Sequence, residues 1–287
     1  AKVYCMQDLL DRFQYEYLPT KAPATQKYYL YGLPMVRRGF TTKKFPVDAV
    51  QPHHAYAMVD YLTRTESKKK AKQAAEVLSS ALSYAVMTGV INRNPLIGQF
   101  KKPSTEGRTR EITNEELLAF GGALPLKWQL YLSLKLHTHG RRKGELLRIR
   151  HSHLDEEGII FINNKRTSDR FRVGWTEPLR QIVTAIMDQH PPIPPVHKEL
   201  HQDPYLFYNR KFTPYIKEDG TTSGFDSIWQ RYMRNAVENG TLTEAFTEHD
   251  LRAKAVEGKS LEVASKLLRH TSPQVTQKHY RRAIETI

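Results

Sequence analysis

The chain has 287 residues, 39% of them hydrophobic, and carries 44 Lys and Arg against 30 Asp and Glu for a formal net charge of +14. That length suits two domains, and the basic excess argues against a neutral small-molecule enzyme and for a polyanionic partner, because each cation set on a phosphate releases condensed counterions. The single cysteine, Cys5, excludes an internal disulfide and any cysteine-pair zinc site; with no apolar run long enough for a bilayer, the composition reads as cytoplasmic.

The chain begins at Ala1 rather than Met, which leaves room for a preceding segment. Residues 1–100 read as helical. Apolar residues at helical spacing predict a helix over Gln7–Leu18, a second from Ala24 or Thr25 to about Arg37, and a third over roughly Asp48–Leu62. The stripe Ala74, Val77, Leu78, Leu82, Ala85, Val86 predicts a fourth over Gln73–Val90, ended by Gly89 and by Asn94-Pro95. Lys68, Lys69, Lys70 and Lys72 at the start of that helix are candidate DNA contacts; a solvated helix end explains each of them equally well.

Residues 101–111 are polar and aperiodic and read as a linker. Residues 1–111 hold 18 basic and 9 acidic side chains against 26 and 21 in the remainder, so the first part is the denser in positive charge. Thr113 with Glu116 forms a capping box that opens a new helix. Gly158–Ile162 reads as a short strand and Phe171–Trp175 as its partner, with turn chemistry at Asn163-Asn164 and Ser168-Asp169. Helix resumes after Pro178, interrupted by the proline-rich loop 191–195. The second part is therefore mostly helical with a small antiparallel sheet.

Four short motifs in this second part are weak singly and informative in order. In Gly140-Arg141-Arg142-Lys143-Gly144-Glu145-Leu146, Arg142 and Glu145 lie three apart, so on a helix a carboxylate can hold the guanidinium in place. Lys165 follows the first strand, where an amine can reach a ligand and donate a proton. In Thr247-Glu248-His249-Asp250-Leu251-Arg252, Thr247 is a good N-cap. His249 and Arg252 then share one side of a first turn, where free N–H groups and the helix dipole favour phosphate. In Leu267-Leu268-Arg269-His270-Thr271-Ser272-Pro273, Ser272 and Pro273 open a helix that places Thr276 and Tyr280 four apart on one face.

The ordered set Arg, Lys, His-x-x-Arg, His, Tyr resembles the tyrosine recombinases, the family of phage and mobile-element integrases. The resemblance covers residues 112–287 as a catalytic domain and, more loosely, residues 1–100 as a helical core-binding domain. It implies a mainly α fold whose two domains clamp DNA. It also implies cutting and rejoining of DNA through a 3′-phosphotyrosine on Tyr280, for integration or excision of a mobile element or phage. Arg142 and Arg252 would stabilise the phosphate, supported by Glu145. Lys165 would protonate the 5′-oxygen, with Arg166 the alternative at that position and otherwise a candidate DNA contact; residue type favours Lys165, since arginine does not readily give up a proton. His249 would handle the tyrosine proton and His270 would hydrogen-bond the phosphate. No metal and no cofactor is implied. Expected partners are double-stranded attachment or core-site DNA, three further copies in a DNA-assembled tetramer, and accessory DNA-bending proteins. Arg269 stands where the family usually has glycine, so the backbone before His270 is expected to differ.

Rival readings are a type IB topoisomerase, a resolvase-type enzyme, a catalytically silent DNA-binding protein on the same fold, and a metalloenzyme built on His137-x-His139 or His53-His54. The complete residue set argues against the silent protein, and the scatter of 12 histidines without organised carboxylates argues against the metalloenzyme.

Overall fold

A computed structural model describes residues 5–40, 44–104, 110–163, 169–191, 202–269, 274, 276 and 277. Its contacts divide the chain into two compact units, residues 1–106 and 107–287.

In the first unit, α1 (Met6–Arg12) runs into a π-helical turn at Phe13–Tyr17 and a 3-10 turn at Leu18–Thr20, so the predicted first helix changes pitch twice instead of continuing regularly. Cys5 is the N-cap of α1. Helix α2 (Pro23–Gly39) opens with proline at its first position, where the missing N–H costs nothing. The predicted third helix starts late. Val47–Ala49 is a separate 3-10 turn, Gln51 is extended, and α3 occupies Pro52–Thr65, with Pro52 at its first position, where the missing N–H costs nothing. Helix α4 (Lys68–Met87) starts five residues before the predicted Gln73, since the Ser67 hydroxyl accepts from the N–H of Lys70 at 3.2 Å and caps it.

Helix α4 is the spine of this unit. Ala71, Ala74, Val77, Leu78, Ala81, Leu82 and Ala85 are all buried, and small side chains at this spacing let α2 and α3 approach closely. The approach is tightest at Gly32 of α2, where a Cβ would stand 2.5 Å from Val77 Cγ2.

In the second unit, the predicted capping box forms: the Thr113 hydroxyl accepts from Glu116 N at 3.1 Å and the Glu116 carboxylate accepts from Thr113 N at 3.0 Å, opening α5 (Asn114–Ala123). Then come α6 (Leu126–His137), the one-turn α7 (Lys143–Leu146), β1 (Gly158–Ile162), β2 (Arg170–Gly174) and α8 (Glu177–Asp188). Helices α9 (Ser223–Glu238), α10 (Asp250–Lys254) and α11 (Leu261–Leu268) follow. Strand β1 has its predicted bounds. Strand β2 lies one residue earlier than predicted, pairing antiparallel from Gly158 opposite Gly174 to Ile162 opposite Arg170. Trp175 falls past the ladder, and its indole donates to the carbonyl of Asp155 at 2.8 Å.

A lone two-stranded hairpin is marginal in water. This one is anchored because Ile159, Phe161 and Val173 are buried in a core built from Phe120, Trp128, Tyr131, Phe225, Trp229 and Phe246. The fold is mainly α with a small antiparallel sheet, as expected. Among the described residues no helix is long and apolar enough to cross a membrane.

Candidate active site

The arginine motif begins where α6 ends. His139 and Gly140 both take positive φ, 56° and 66°, which reverses the chain. Gly140 is required twice over. Its φ favours glycine, and a Cβ there would meet Arg252 Cα at 2.8 Å. Arg142 is not on the helix as the spacing predicts. It is the N-cap of α7, with extended backbone at φ −61° and ψ 143°. The carboxylate of Glu145 still holds it, through a capping box: Oε2 accepts from Arg142 N at 2.9 Å and Oε1 from Nη1 at 3.1 Å. The Glu145 side chain is 2% exposed and that of Arg142 41%, so a buried anion presents an open guanidinium. The flanking cations are occupied. Lys143 pairs with Asp226. Arg141 is buried, donating to Thr138 O at 3.1 Å and to Leu267 O, and burial pushes its pKa down to about 10.

The histidine motif packs against this loop. Lys135, fully buried on α6, donates to Arg141 O at 2.6 Å and to Glu248 Oε1 at 2.6 Å. The Tyr131 hydroxyl donates to the same carboxylate oxygen at 2.8 Å. Burial lowers the Lys135 pKa, against the pull of Glu248. Thr247 and Asp250 cap each other: Asp250 Oδ2 accepts from Thr247 N at 2.7 Å, and Thr247 Oγ1 from Asp250 N at 3.3 Å. His249 keeps access to solvent. Its pKa is lowered, first by the protein packed around the ring, then by the charges of Lys135 and Arg252, with Glu248 and Asp250 opposing.

Two expectations about this turn are corrected. The N–H of Asp250 bonds Thr247 O at 3.0 Å and that of Arg252 bonds His249 O at 3.0 Å, so these first-turn N–H groups serve the turn itself. With α10 only five residues long, the dipole is small as well. Nor do His249 and Arg252 share an open side. Arg252 is 0% exposed, donating from Nη1 to Gly140 O at 2.7 Å and from Nη2 to Leu268 O at 2.6 Å. Packing against the Gly140 backbone draws it inward.

The end of α11 completes the described part. Arg141 and Arg252 place two cations on the carbonyls of Leu267 and Leu268, where the helix is electronegative. Arg269 then turns the chain with φ 53° and ψ 50°. Arg269 thus takes the left-handed conformation that favours glycine, at a cost of about 1 kcal/mol. Its guanidinium pairs with Asp169 at 2.9 and 3.1 Å and stacks 4.2 Å from the centroid of Phe171.

Contacts through Gly140 and Lys135 thus bring together the segments bearing Arg142, Glu145, His249 and Arg252. Lys165, Arg166, His270 and Tyr280 lie outside the described residues, as do Asn164, Ser168, Ser272 and Pro273. Thr276 is buried. Lys68, Lys69 and Lys70 are exposed in the first unit and Lys72 is half-buried; Lys70 pairs with Glu66 at 2.6 Å. Sequence reading missed Lys135, Glu248 and Tyr131. The available signal was slight: a lysine between Leu134 and Leu136 in a helix that also carries Lys127, Gln129, Ser133 and His137. Among the described residues no group of three or more His, Cys, Asp or Glu could hold a metal ion. Two histidines of the metal reading do local work: His54 Nδ1 accepts from Gln51 N at 3.0 Å, and His137 Nδ1 lies 2.9 Å from Ser133 O on its own helix.

A mainly helical unit with an arginine clamped by a buried glutamate, beside a His-x-x-Arg turn, defines the class of tyrosine-type site-specific recombinases. Residues 110–286 match the profile of the Phage integrase family, and the chain belongs to that family. No curated protein matches it. Among solved structures, a lambda integrase dimer bound to a COC′ core site aligns with TM-score 0.73 at 18% identity, covering 100% of this chain and 81% of that one. A lambda integrase tetramer bound to a Holliday junction gives 0.73 at 19%, covering 99% and 80%. The Tn1549 transposon integrase (residues 82–397) in complex with circular intermediate DNA gives 0.69 at 16%, covering 97% and 95%. At these identities the likeness is one of fold.

Proposed function

We propose that this recombinase cuts and rejoins duplex DNA with Tyr280 as nucleophile, to integrate or excise a mobile element or phage. The Tyr280 oxygen bonds to phosphorus and the bond to the 5′-oxygen breaks, leaving a 3′-phosphotyrosine and a 5′-hydroxyl. The bond energy is kept in the covalent intermediate, so resealing needs no ATP. His249, with its lowered pKa, is neutral near pH 7 and takes up the phenolic proton. Lys165 gives a proton to the departing oxygen, and His270 hydrogen-bonds the phosphate. Arg142 meets the charge that builds on the non-bridging oxygens, and Arg252 adds its field from beneath.

The observation that carries this reading is the outward guanidinium of Arg142, held by buried Glu145 and joined through Gly140 to the His249–Arg252 turn. We read residues 1–100 as the core-site-gripping domain, 101–111 as a linker and 112–287 as the catalytic domain. The DNA-bound relatives support double-stranded core DNA as partner, and the lambda tetramer supports assembly of four copies on a junction. Such an enzyme works in the cytoplasm, on the nucleoid.

The test uses a core site selected by the full chain from a random duplex pool, nicked so that the cleaved end escapes. The wild type is trapped as a covalent adduct; Tyr280→Phe binds the same site and forms none. An adduct with Tyr280→Phe overturns the assignment.

A further inference from the structure

The position ahead of His270 is left-handed, and glycine would fill it without strain. An arginine there needs a reason, and its contacts supply one. The Arg269 guanidinium makes two hydrogen bonds to Asp169, at 2.9 and 3.1 Å. It lies on the ring of Phe171 at 4.2 Å, Arg141 approaches the same ring at 5.0 Å, and Phe161 stacks on it at 5.5 Å with 13° between planes. Asp169 also closes the loop end of the hairpin, accepting from Asn163 N at 3.0 Å through its carbonyl and from Asn163 Nδ2 at 2.9 Å through its carboxylate. Lys165 stands two residues beyond Asn163 in the chain, and His270 directly follows Arg269.

We propose that Arg269 is a positioning residue. Its ion pair with Asp169 and its stacking on Phe171 fasten the loop end of the β1–β2 hairpin to the end of α11. The strand that leads to the proton donor is thereby held in register with the turn that leads to His270. The fork geometry matters, because a guanidinium can pair and stack at once where an ammonium cannot. The inference deepens the reading above and rests on Lys165 as the donor to the 5′-oxygen.

A merely local role, ending α11, makes a different prediction. Arg269→Gly relieves the left-handed residue, so it would then leave cleavage unchanged. Under the proposal, Arg269→Gly and the near-isosteric Asp169→Asn each slow cleavage on the order of tenfold to a hundredfold. Binding of the core site stays intact, and the double variant is no slower than the singles. Asp169→Asn leaves the turn backbone alone, so its defect cannot come from that backbone.

The deciding substrate replaces the 5′-bridging oxygen with sulfur, whose thiolate departs without a proton. It should restore the cleavage rate of Lys165→Ala, Arg269→Gly and Asp169→Asn alike. Wild-type rates for Arg269→Gly and Asp169→Asn on the all-oxygen duplex overturn the proposal. So does a defect in those two that sulfur leaves in place while it rescues Lys165→Ala. If Lys165→Ala itself is not rescued, the donor assignment fails and this inference falls with it.

Discussion

The two units are held together by different chemistry. Among the described residues, the first unit buries one polar side chain, Asn94, whose amide donates to Ser79 O and to the Ser83 hydroxyl at 2.9 Å each; the rest of its core is apolar. The second buries Lys135, Arg141, Glu145, Glu248, Asp250 and Arg252. Burying an ion pair gains little over apolar packing and is costly once one partner is lost. Such groups concentrated in one unit mark where charge must be placed rather than where stability is made. Here they hold Arg142, His249 and the end of α11 in relation to one another.

That contrast can be tested by substitution. The largest expected effect is Arg142→Ala, which should lower the rate of cleavage on the order of 10³-fold at saturating core-site DNA. Among the described residues, buried Glu145 then keeps only the backbone N–H of position 142, so Tm should fall as well; a wild-type cleavage rate despite that fall would show the arginine to be purely structural.

Next comes a matched pair. Lys135→Met leaves Glu248 without its buried ammonium, and Leu82→Ala opens a cavity in the first unit. Each should cost about 3 kcal/mol in denaturant unfolding. Only Lys135→Met should also slow cleavage by phosphotyrosine trapping at saturating DNA. Equal kinetic effects would erase the distinction between the units.

The smallest effect is in the pH profile. A proton acceptor works in its neutral form, and the His249 pKa lies below the ordinary imidazole value of about 6.5. Cleavage should therefore hold through that pH and fall only below it. Lys135→Met removes a cation that lowers this pKa, so the acid limb should move to higher pH. A limb that stays put would separate His249 from the rate.

Local chemistry made much of this legible. Strand β1 and the Thr113–Glu116 box follow from turn residues and spacing alone, and the Arg142–Glu145 contact was readable from a three-residue interval. Its geometry was not, because the interval serves a capping box as well as a helix face. Helix α3 begins late because Pro52 divides what periodicity joins. Lys135 and Glu248, 113 residues apart, could not be paired from sequence. Their partnership exists only after α6 and the 247–252 turn meet. Arg269 stands out in the sequence as a departure from the family, but its backbone and its partner Asp169, 100 residues away, are tertiary facts.

The placement of two scarce residue types gives the protein a pair of built-in reporters. All three tryptophans, Trp128, Trp175 and Trp229, belong to the second unit, while Cys5, the sole thiol, caps α1 in the first and is only partly covered. Intrinsic tryptophan emission on unfolding would follow one unit, and an environment-sensitive maleimide dye the other, in a single unmodified sequence. Whether the halves melt together or in sequence, with and without DNA, can be read in one cuvette.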